Sequence, residues 1–271
     1  MIPALVVSDI DGTLLDSNER VSSRLRKAIG LLDGKAQFAL ATGRPPRWIF
    51  PVLEQLPIRP VCVCANGAVL YDSAADRVIE AKNLSCEAMR SVVRTAREVL
   101  PGGCSTAVER VGASAFEQPD ELFVVTPEYI HAWDSTEHGC VEEAELLSKP
   151  AMKLLLRSEQ LSAARMHELL APVVPKDLAH ITFSYDGGLL EVSAPGVVKA
   201  RALQVLAADL GVSREQVLAF GDMPNDIEML QWAGHGVAMA NAHPDVKKAA
   251  DEVTAANDDF GVARVIERIF S

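Results

Sequence analysis

Three things are scarce or missing in this chain of 271 residues, and each narrows what the protein can be. No apolar run approaches the ~18 residues of a membrane span, which argues against a helical membrane protein. The five cysteines, at 62, 64, 86, 104 and 140, form no CxxC pair and no zinc-finger spacing. Cys62 and Cys64 alternate along an apolar run, which suits core packing better than a redox or metal role. Positive charge is also short: 26 Lys and Arg face 37 Asp and Glu, a formal net charge of -11. That balance favours solubility and argues against a general binder of nucleic acid or anionic membrane. The start carries no basic segment leading into an apolar one, and neither internal repeats nor low-complexity tracts are evident. The expectation is a soluble protein of a reducing, cytoplasmic setting, a monomer or homodimer without nucleic-acid or membrane partners.

What is present is a rhythm. Short apolar runs each stop at a small or polar residue: "ALVVS" before Asp9, "AQFALA" before Thr42, "PVCVCA" before Asn66, "VLAFG" before Asp222 and "HGVAMA" before Asn241. Helical patterns at 22–32, 45–56, 197–210, 224–233 and 244–250 follow or separate them, with Pro45, Pro224 and Pro244 where a first turn tolerates a missing N–H. Alternating short strands and helices predict an α/β fold with a parallel sheet.

Between about 84 and 189 the rhythm changes. A helix is expected at 85–99, then a glycine break, irregular stretches, a strand at "MKLLLR", a helix at 158–171 and a hairpin turning about Asp186-Gly187-Gly188. This segment, 85–189, is expected to be an inserted second domain, with 1–84 and 190–271 forming the first.

The opening strand ends in "SDIDGT", two carboxylates one residue apart followed by glycine. Alone, Asp-Gly is a turn signal. The spacing argues against a calcium loop, since the third ligand position from Asp9 is Thr13, the sixth residue is Leu14 and the twelfth is Arg20. In open α/β sheets ligands bind beyond the carboxyl ends of the strands, where "ATGR" (41–44), Lys199 and "GDMPND" (221–226) also fall. Each has a structural reading alone: Thr42-Gly43 as a cap and turn, Lys199 as a solvated residue, "GDMPND" as an Asx turn. Together they suit phosphoryl transfer.

Asp9, ionised at neutral pH, can attack phosphorus without a base, and Asp11 can serve as acid and then base. Several carboxylates facing a phosphate demand a cation, and Mg2+ fits: it is expected on the Asp9 side chain, the Asp11 carbonyl and the Asp222 side chain, with Asn225 and Asp226 near its shell. Lys199 supplies a second positive charge, and Thr42 and Gly43 supply neutral donors to the phosphate.

These stretches resemble the signatures of the haloacid dehalogenase-like (HAD) hydrolase superfamily, specifically the Cof-type phosphatases of subclass IIB. "DIDGTLL" is similar to the first signature, "ATGR" to the second, Lys199 to the third and "GDMPND" to the fourth; "NGA" (66–68) and "NAHPDVKKAAD" (241–251) resemble further stretches of the subclass. The resemblance implies a Rossmann-like core with a cap inserted between the second and third signatures, Asp9 as nucleophile, Asp11 as acid/base and magnesium on Asp9, Asp11 and Asp222. The chain departs from it in two places: Val198 and Ala200 flank the lysine where a small polar residue and a glycine are usual, and Phe260 stands where an acidic residue is common.

Substrate choice is expected to lie in the cap, where Tyr129, His131, Trp133 and His138 are ligand candidates that also suit core or surface roles. Arg44 and Asn66, at core strand ends, are the stronger candidates for substrate contact. The expected substrate is a small phosphorylated metabolite, a sugar phosphate or phosphorylated cofactor. The same residues also suit a phosphomutase, or a non-enzymatic switch or phospho-ligand binder.

Overall fold

Leu5–Ser8 is buried along its whole length, so both of its faces need covering. A strand with no wet face belongs in the middle of a parallel sheet flanked by helices, and it lies there. It pairs in parallel with Val217–Gly221 on one side and Gln37–Ala41 on the other. The full sheet runs Glu252–Val253, His235–Ala238, Val217–Gly221, Leu5–Ser8, Gln37–Ala41, Val61–Cys64, Val69–Asp72, Arg77–Ala81. The pairs from Glu252–Val253 to Val61–Cys64 are parallel; Val69–Asp72 turns back antiparallel.

In this computed structural model, residues 2–117, 119–131, 137–184 and 187–271 are described. The chain divides into two units, Met1–Ile79 with Val198–Ser271, and Glu80–Val197. Trp133 and Asp186, singled out in the sequence, lie outside the described residues.

The helices of the first unit are shorter than their patterns, for local reasons. Ser22 caps Ser23–Gly30, its side chain accepting from the Leu25 N–H. The segment expected as one helix from 45 to 56 is a 3₁₀ turn, Pro46–Trp48, followed by Phe50–Leu53. Prolines at 45, 46 and 51 remove three N–H donors from that stretch. Pro224 and Pro244 do occupy first turns. Cys62 and Cys64 are buried in the sheet, and neither is in a disulfide.

The second unit has its own sheet, ordered His180–Thr182, Leu189–Ser193, Lys153–Arg157, Ser105–Glu109, Phe123–Val125, Gly139–Cys140. Alternation along Lys153–Arg157 sends Leu154 and Leu156 to one face, where Met89, Val92, Met166 and Leu170 of helices Cys86–Val99 and Ala163–Leu170 cover them. The latter helix begins five residues later than expected because Ser162 is its cap, accepting from the Arg165 N–H. On the other face Leu155 packs with Phe123, Tyr129 and Leu189. Because Leu189–Ser193 is hydrogen-bonded on both sides within this sheet, the chain re-enters the first unit at Val198, later than the hairpin signal suggests. Among the described residues no helix is long and apolar enough to cross a membrane.

Candidate active site

Register brings the polar strand ends together. Ser8 lies level with Phe220 on one side and Leu40 on the other, so Asp9, Asp222 and Thr42 emerge from neighbouring strands at the same end. The Asp9 N–H still donates to the Phe220 carbonyl at 3.0 Å, which ties the departing chain to its neighbour.

After Asp9 the chain makes a tight loop, Ile10–Leu14, closed by the Leu15 N–H on the Ile10 carbonyl at 3.0 Å. Gly12 has φ +75°, and a Cβ there would lie 2.4 Å from Asp222 Oδ2. Both the backbone angle and the close approach of the carboxylate require glycine. The next residue, Thr13, donates from Oγ1 to Asp222 Oδ1 at 2.9 Å. The "GT" of "DIDGT" therefore seats a carboxylate from 209 residues further along the chain.

Lys199 opens the helix Lys199–Asp209 and is 1% exposed. A cation at a helix N-terminus opposes the helix dipole, and two carboxylates offset it: Nζ donates to Asp9 Oδ1 at 2.5 Å and to Asp226 Oδ1 at 2.7 Å. Burial by itself lowers the Lys199 pKa, but Asp226 and Asp9 outweigh it and hold the ammonium above its ordinary value. Asp226, fully buried, also accepts from the N–H groups of Asp222 and Met223, each at 3.0 Å. It thus fixes both the lysine and the loop carrying Asp222. Gly67, at φ +99°, lets the third strand end approach this helix: a Cβ would lie 2.5 Å from the Val198 carbonyl.

Oxygen ligands of Asp9, Asp222 and Asp226 lie within 4.8 Å of one another, all buried. Burial, then the neighbouring carboxylates, drive the Asp9 pKa well above its ordinary value, with Lys199 opposing. Asp222 is pushed up to about 7 by burial and Asp226, with the Thr13 hydrogen bond opposing. Three carboxylates against one ammonium leave a deficit of positive charge in a dry site. The Asn225 Oδ1 is buried there without a hydrogen-bond partner, while its Nδ2 donates to Asn66 Oδ1 at 2.9 Å. Hard oxygen donors, excess negative charge and an unsatisfied amide oxygen fit a hard divalent cation.

Thr42 is fully buried, and its Oγ1 accepts from the Arg44 N–H at 3.0 Å, across Gly43. Arg44 pairs with Asp11 through both guanidinium edge nitrogens. Asn66 is buried against Asn225. In the second unit Tyr129, His131 and His138 gather around Phe123, with ring centroids 6.3, 5.9 and 6.4 Å from it. Burial, with His138 adding, lowers the His131 pKa.

Two asparagines, Asn241 and Asn257, have a role that the sequence did not suggest. Asn241 Nδ2 donates to the Gly12 carbonyl at 2.8 Å, and its Oδ1 accepts from the Asn257 N–H. Asn257 Nδ2 in turn reaches the Leu15 carbonyl at 2.9 Å. Both stand in C-terminal stretches with clear punctuation, but nothing in the sequence says that they grip the loop after Asp9. Phe260, one of the two departures, caps Gly261–Phe270 in a left-handed conformation, with Arg24 over its ring at 5.7 Å.

A two-unit α/β fold with acidic strand ends, a buried lysine and a cation-type oxygen cluster defines a class of hydrolytic phosphoryl-transfer protein. The family model for haloacid dehalogenase-like hydrolases matches residues 6–266, and the chain belongs to that family. Proteins named as phosphatases are among the relatives that span nearly the whole chain. The 5-amino-6-(5-phospho-D-ribitylamino)uracil phosphatase YitU of Bacillus subtilis is 28% identical over 274 residues, covering 99% of this chain and 98% of its own. A haloacid dehalogenase-like hydrolase structure from Bacteroides thetaiotaomicron is 28% identical with a TM-score of 0.76, covering 98% of this chain and 99% of its own. A HAD subclass IIB sugar phosphatase shares the fold at 22% identity and a TM-score of 0.77, covering 97% and 98% of the two chains.

Proposed function

We propose that the protein is a magnesium-dependent phosphomonoesterase that works through an aspartyl phosphate on Asp9. The observation that carries this is the clustering of Asp9, Asp222 and Asp226 at the strand ends, with Lys199 paired to Asp9 and Asp226. Asp9, the Asp11 carbonyl and Asp222, with Asn225 and Asp226 alongside, would hold magnesium, which would supply positive charge for a dianionic ester and polarise its phosphoryl oxygens.

The chain's own residues do the rest. Lys199 fixes one Asp9 oxygen and opposes the rise in its pKa, which favours the ionised carboxylate, and the other oxygen is the attacking atom. Thr42, whose hydroxyl oxygen already accepts from Arg44, has a proton to donate to the phosphate, and the Gly43 N–H lies beside it. Asp11 protonates the leaving alcohol, and then takes a proton from the water that hydrolyses the aspartyl phosphate. Asp226 sets the position of Lys199 and of the Asp222 loop without touching substrate.

The substrate is a small phosphorylated metabolite, a sugar phosphate or phosphorylated cofactor, chosen by residues of the second unit acting as a cap. The name of the Bacillus relative, which describes a phosphate ester on a ribityl chain, supports that class.

The test is p-nitrophenyl phosphate hydrolysis with magnesium and with chelator, wild type beside Asp9→Asn, followed by product analysis on phosphorylated metabolites. Magnesium-dependent release that disappears in the folded variant is expected, with free phosphate as product. Release that survives Asp9→Asn removes Asp9 as nucleophile; an isomerised phosphoester in place of phosphate makes the enzyme a mutase.

A further inference from the structure

Arg44 meets Asp11 edge-on. Its Nε donates to Oδ2 at 2.9 Å and its Nη2 to Oδ1 at 2.5 Å, the two-point pairing that fixes the plane of a carboxylate. The fork is itself held from three directions. Nη1 donates to the Trp48 carbonyl at 3.3 Å, the Arg44 N–H donates to Thr42 Oγ1 at 3.0 Å, and the Arg44 carbonyl accepts from the Ala65 N–H at 2.9 Å.

The two partners differ in freedom. The Arg44 side chain is 21% exposed and the Asp11 side chain 56%. An aspartate so exposed, beside a glycine, has little else to hold its rotamer, whereas the arginine is anchored at its backbone and at its tip. Orientation is therefore imposed on Asp11 by Arg44, and not the reverse. A carboxylate offers about four lone-pair sites, and the fork takes one on each oxygen. One site on each oxygen is left, which can carry the proton given to a leaving oxygen or accept one from a water.

We propose that Arg44 is a positioning residue for the proton transfers of Asp11, acting through that carboxyl group and not by contact with the substrate. This rests on Asp11 being the acid/base proposed above. In the first step a bond forms between an Asp9 oxygen and phosphorus, the ester P–O bond breaks, and the Asp11 proton goes to the departing oxygen. In the second, a water oxygen bonds to phosphorus, the Asp9–phosphorus bond breaks, and Asp11 takes the water proton. Both transfers use one carboxyl group from one direction, and a rigid fork serves both.

The experiment is a double-variant cycle. Arg44→Ala and Arg44→Lys are made in the wild type and in Asp11→Asn, and kcat/KM is measured for p-nitrophenyl phosphate and phenyl phosphate. The nitrophenolate leaves with little protonation, and the phenolate needs more. General acid–base help is typically worth ~10²–10⁴-fold, so Arg44→Ala should lower the phenyl phosphate value about 100-fold and the nitrophenyl value less than about 10-fold. In Asp11→Asn the same change should cost less than about 3-fold on either ester, because residues that act as a unit are not additive. Arg44→Lys, which keeps the charge and loses the fork, should behave like Arg44→Ala and also covers the case in which the alanine variant does not fold.

An equal loss on both esters that persists in Asp11→Asn, with KM raised and kcat unchanged, overturns the assignment and makes Arg44 a substrate contact. Asp9→Asn run in parallel separates the two levels. Activity that survives it overturns the aspartyl-phosphate mechanism, whereas Asp9-dependent activity with an additive Arg44 loss overturns only the role of Arg44.

Discussion

Lys199 Nζ lies 2.7 Å from Asp226 Oδ1, and neither side chain is more than 1% exposed. The pair joins the start of one helix to the loop after another strand, and Lys199 extends the link to Asp9 on the central strand.

Breaking one side of a buried ion pair costs ~3–5 kcal/mol, because a charge is left without compensation. Asp226→Ala leaves Lys199 paired with Asp9 alone and takes the acceptor from two loop N–H groups. The variant is expected to lose stability in that range, measured by urea unfolding in chelator, and to lose most of its turnover. A change under ~1 kcal/mol would contradict the positioning role of Asp226.

The carboxylates make the metal-free protein sensitive to pH in a defined direction. Asp222 titrates near 7 in the fold, above the ordinary 3.8, so the folded state holds its proton more tightly than the unfolded chain does. That contribution to stability is complete below about pH 4 and is lost as pH rises through about 7. Asp9 is raised in the same sense, while Lys199 stays charged across this window. In chelator the thermal midpoint should fall between pH 5 and pH 8 by this term. The stabilisation produced by added magnesium should grow over the same range. A magnesium effect that is flat with pH would show that these carboxylates do not hold the ion.

Thr13 opposes the upward shift of Asp222 through its hydroxyl. Thr13→Val removes that donor at nearly constant shape, so the Asp222 pKa should rise further and the magnesium requirement should move to higher pH. Magnesium titrations at pH 6, 7 and 8, beside the wild type, read this directly. Unchanged curves would mean that the hydroxyl does not support the carboxylate.

Gly12 has no room for a side chain. Gly12→Ala combines a positive φ with a Cβ 2.4 Å from Asp222 Oδ2, so either the loop or the carboxylate must move. Turnover is expected to fall at least ~100-fold, the scale of a 1 Å misplacement in a site, with the sheet intact by circular dichroism. Near-normal turnover would show that this loop adjusts freely.

Much of the fold was legible because it rests on local signals. Apolar runs ending in small or polar residues mark Leu5–Ser8, Gln37–Ala41, Val61–Cys64, Val217–Gly221 and His235–Ala238 without reference to their pairing. Helix starts were legible where a side chain caps them, as at Ser22 and Ser85, and were misplaced where a later residue does so, as at Ser162. The turn from 45 to 56 was overestimated because three prolines weigh against a pattern that hydrophobic spacing alone favours.

The rhythm of strands and helices and the acidic pair of "SDIDGT" are readable in the chain alone, as is the placing of Thr42, Lys199 and Asp222 beside strand ends. Strand periodicity and punctuation are properties of neighbours in the chain, and parallel-sheet topology carries their ends to one side. Only the tertiary structure decided that Thr13 holds Asp222, that Asp226 anchors Lys199, that Asn241 and Asn257 grip the loop after Asp9, and that Arg44 faces Asp11. Those partners are separated by as many as 242 residues. Which donor meets which acceptor across such a span depends on register, loop angle and burial, none of which is encoded in any short stretch of the chain.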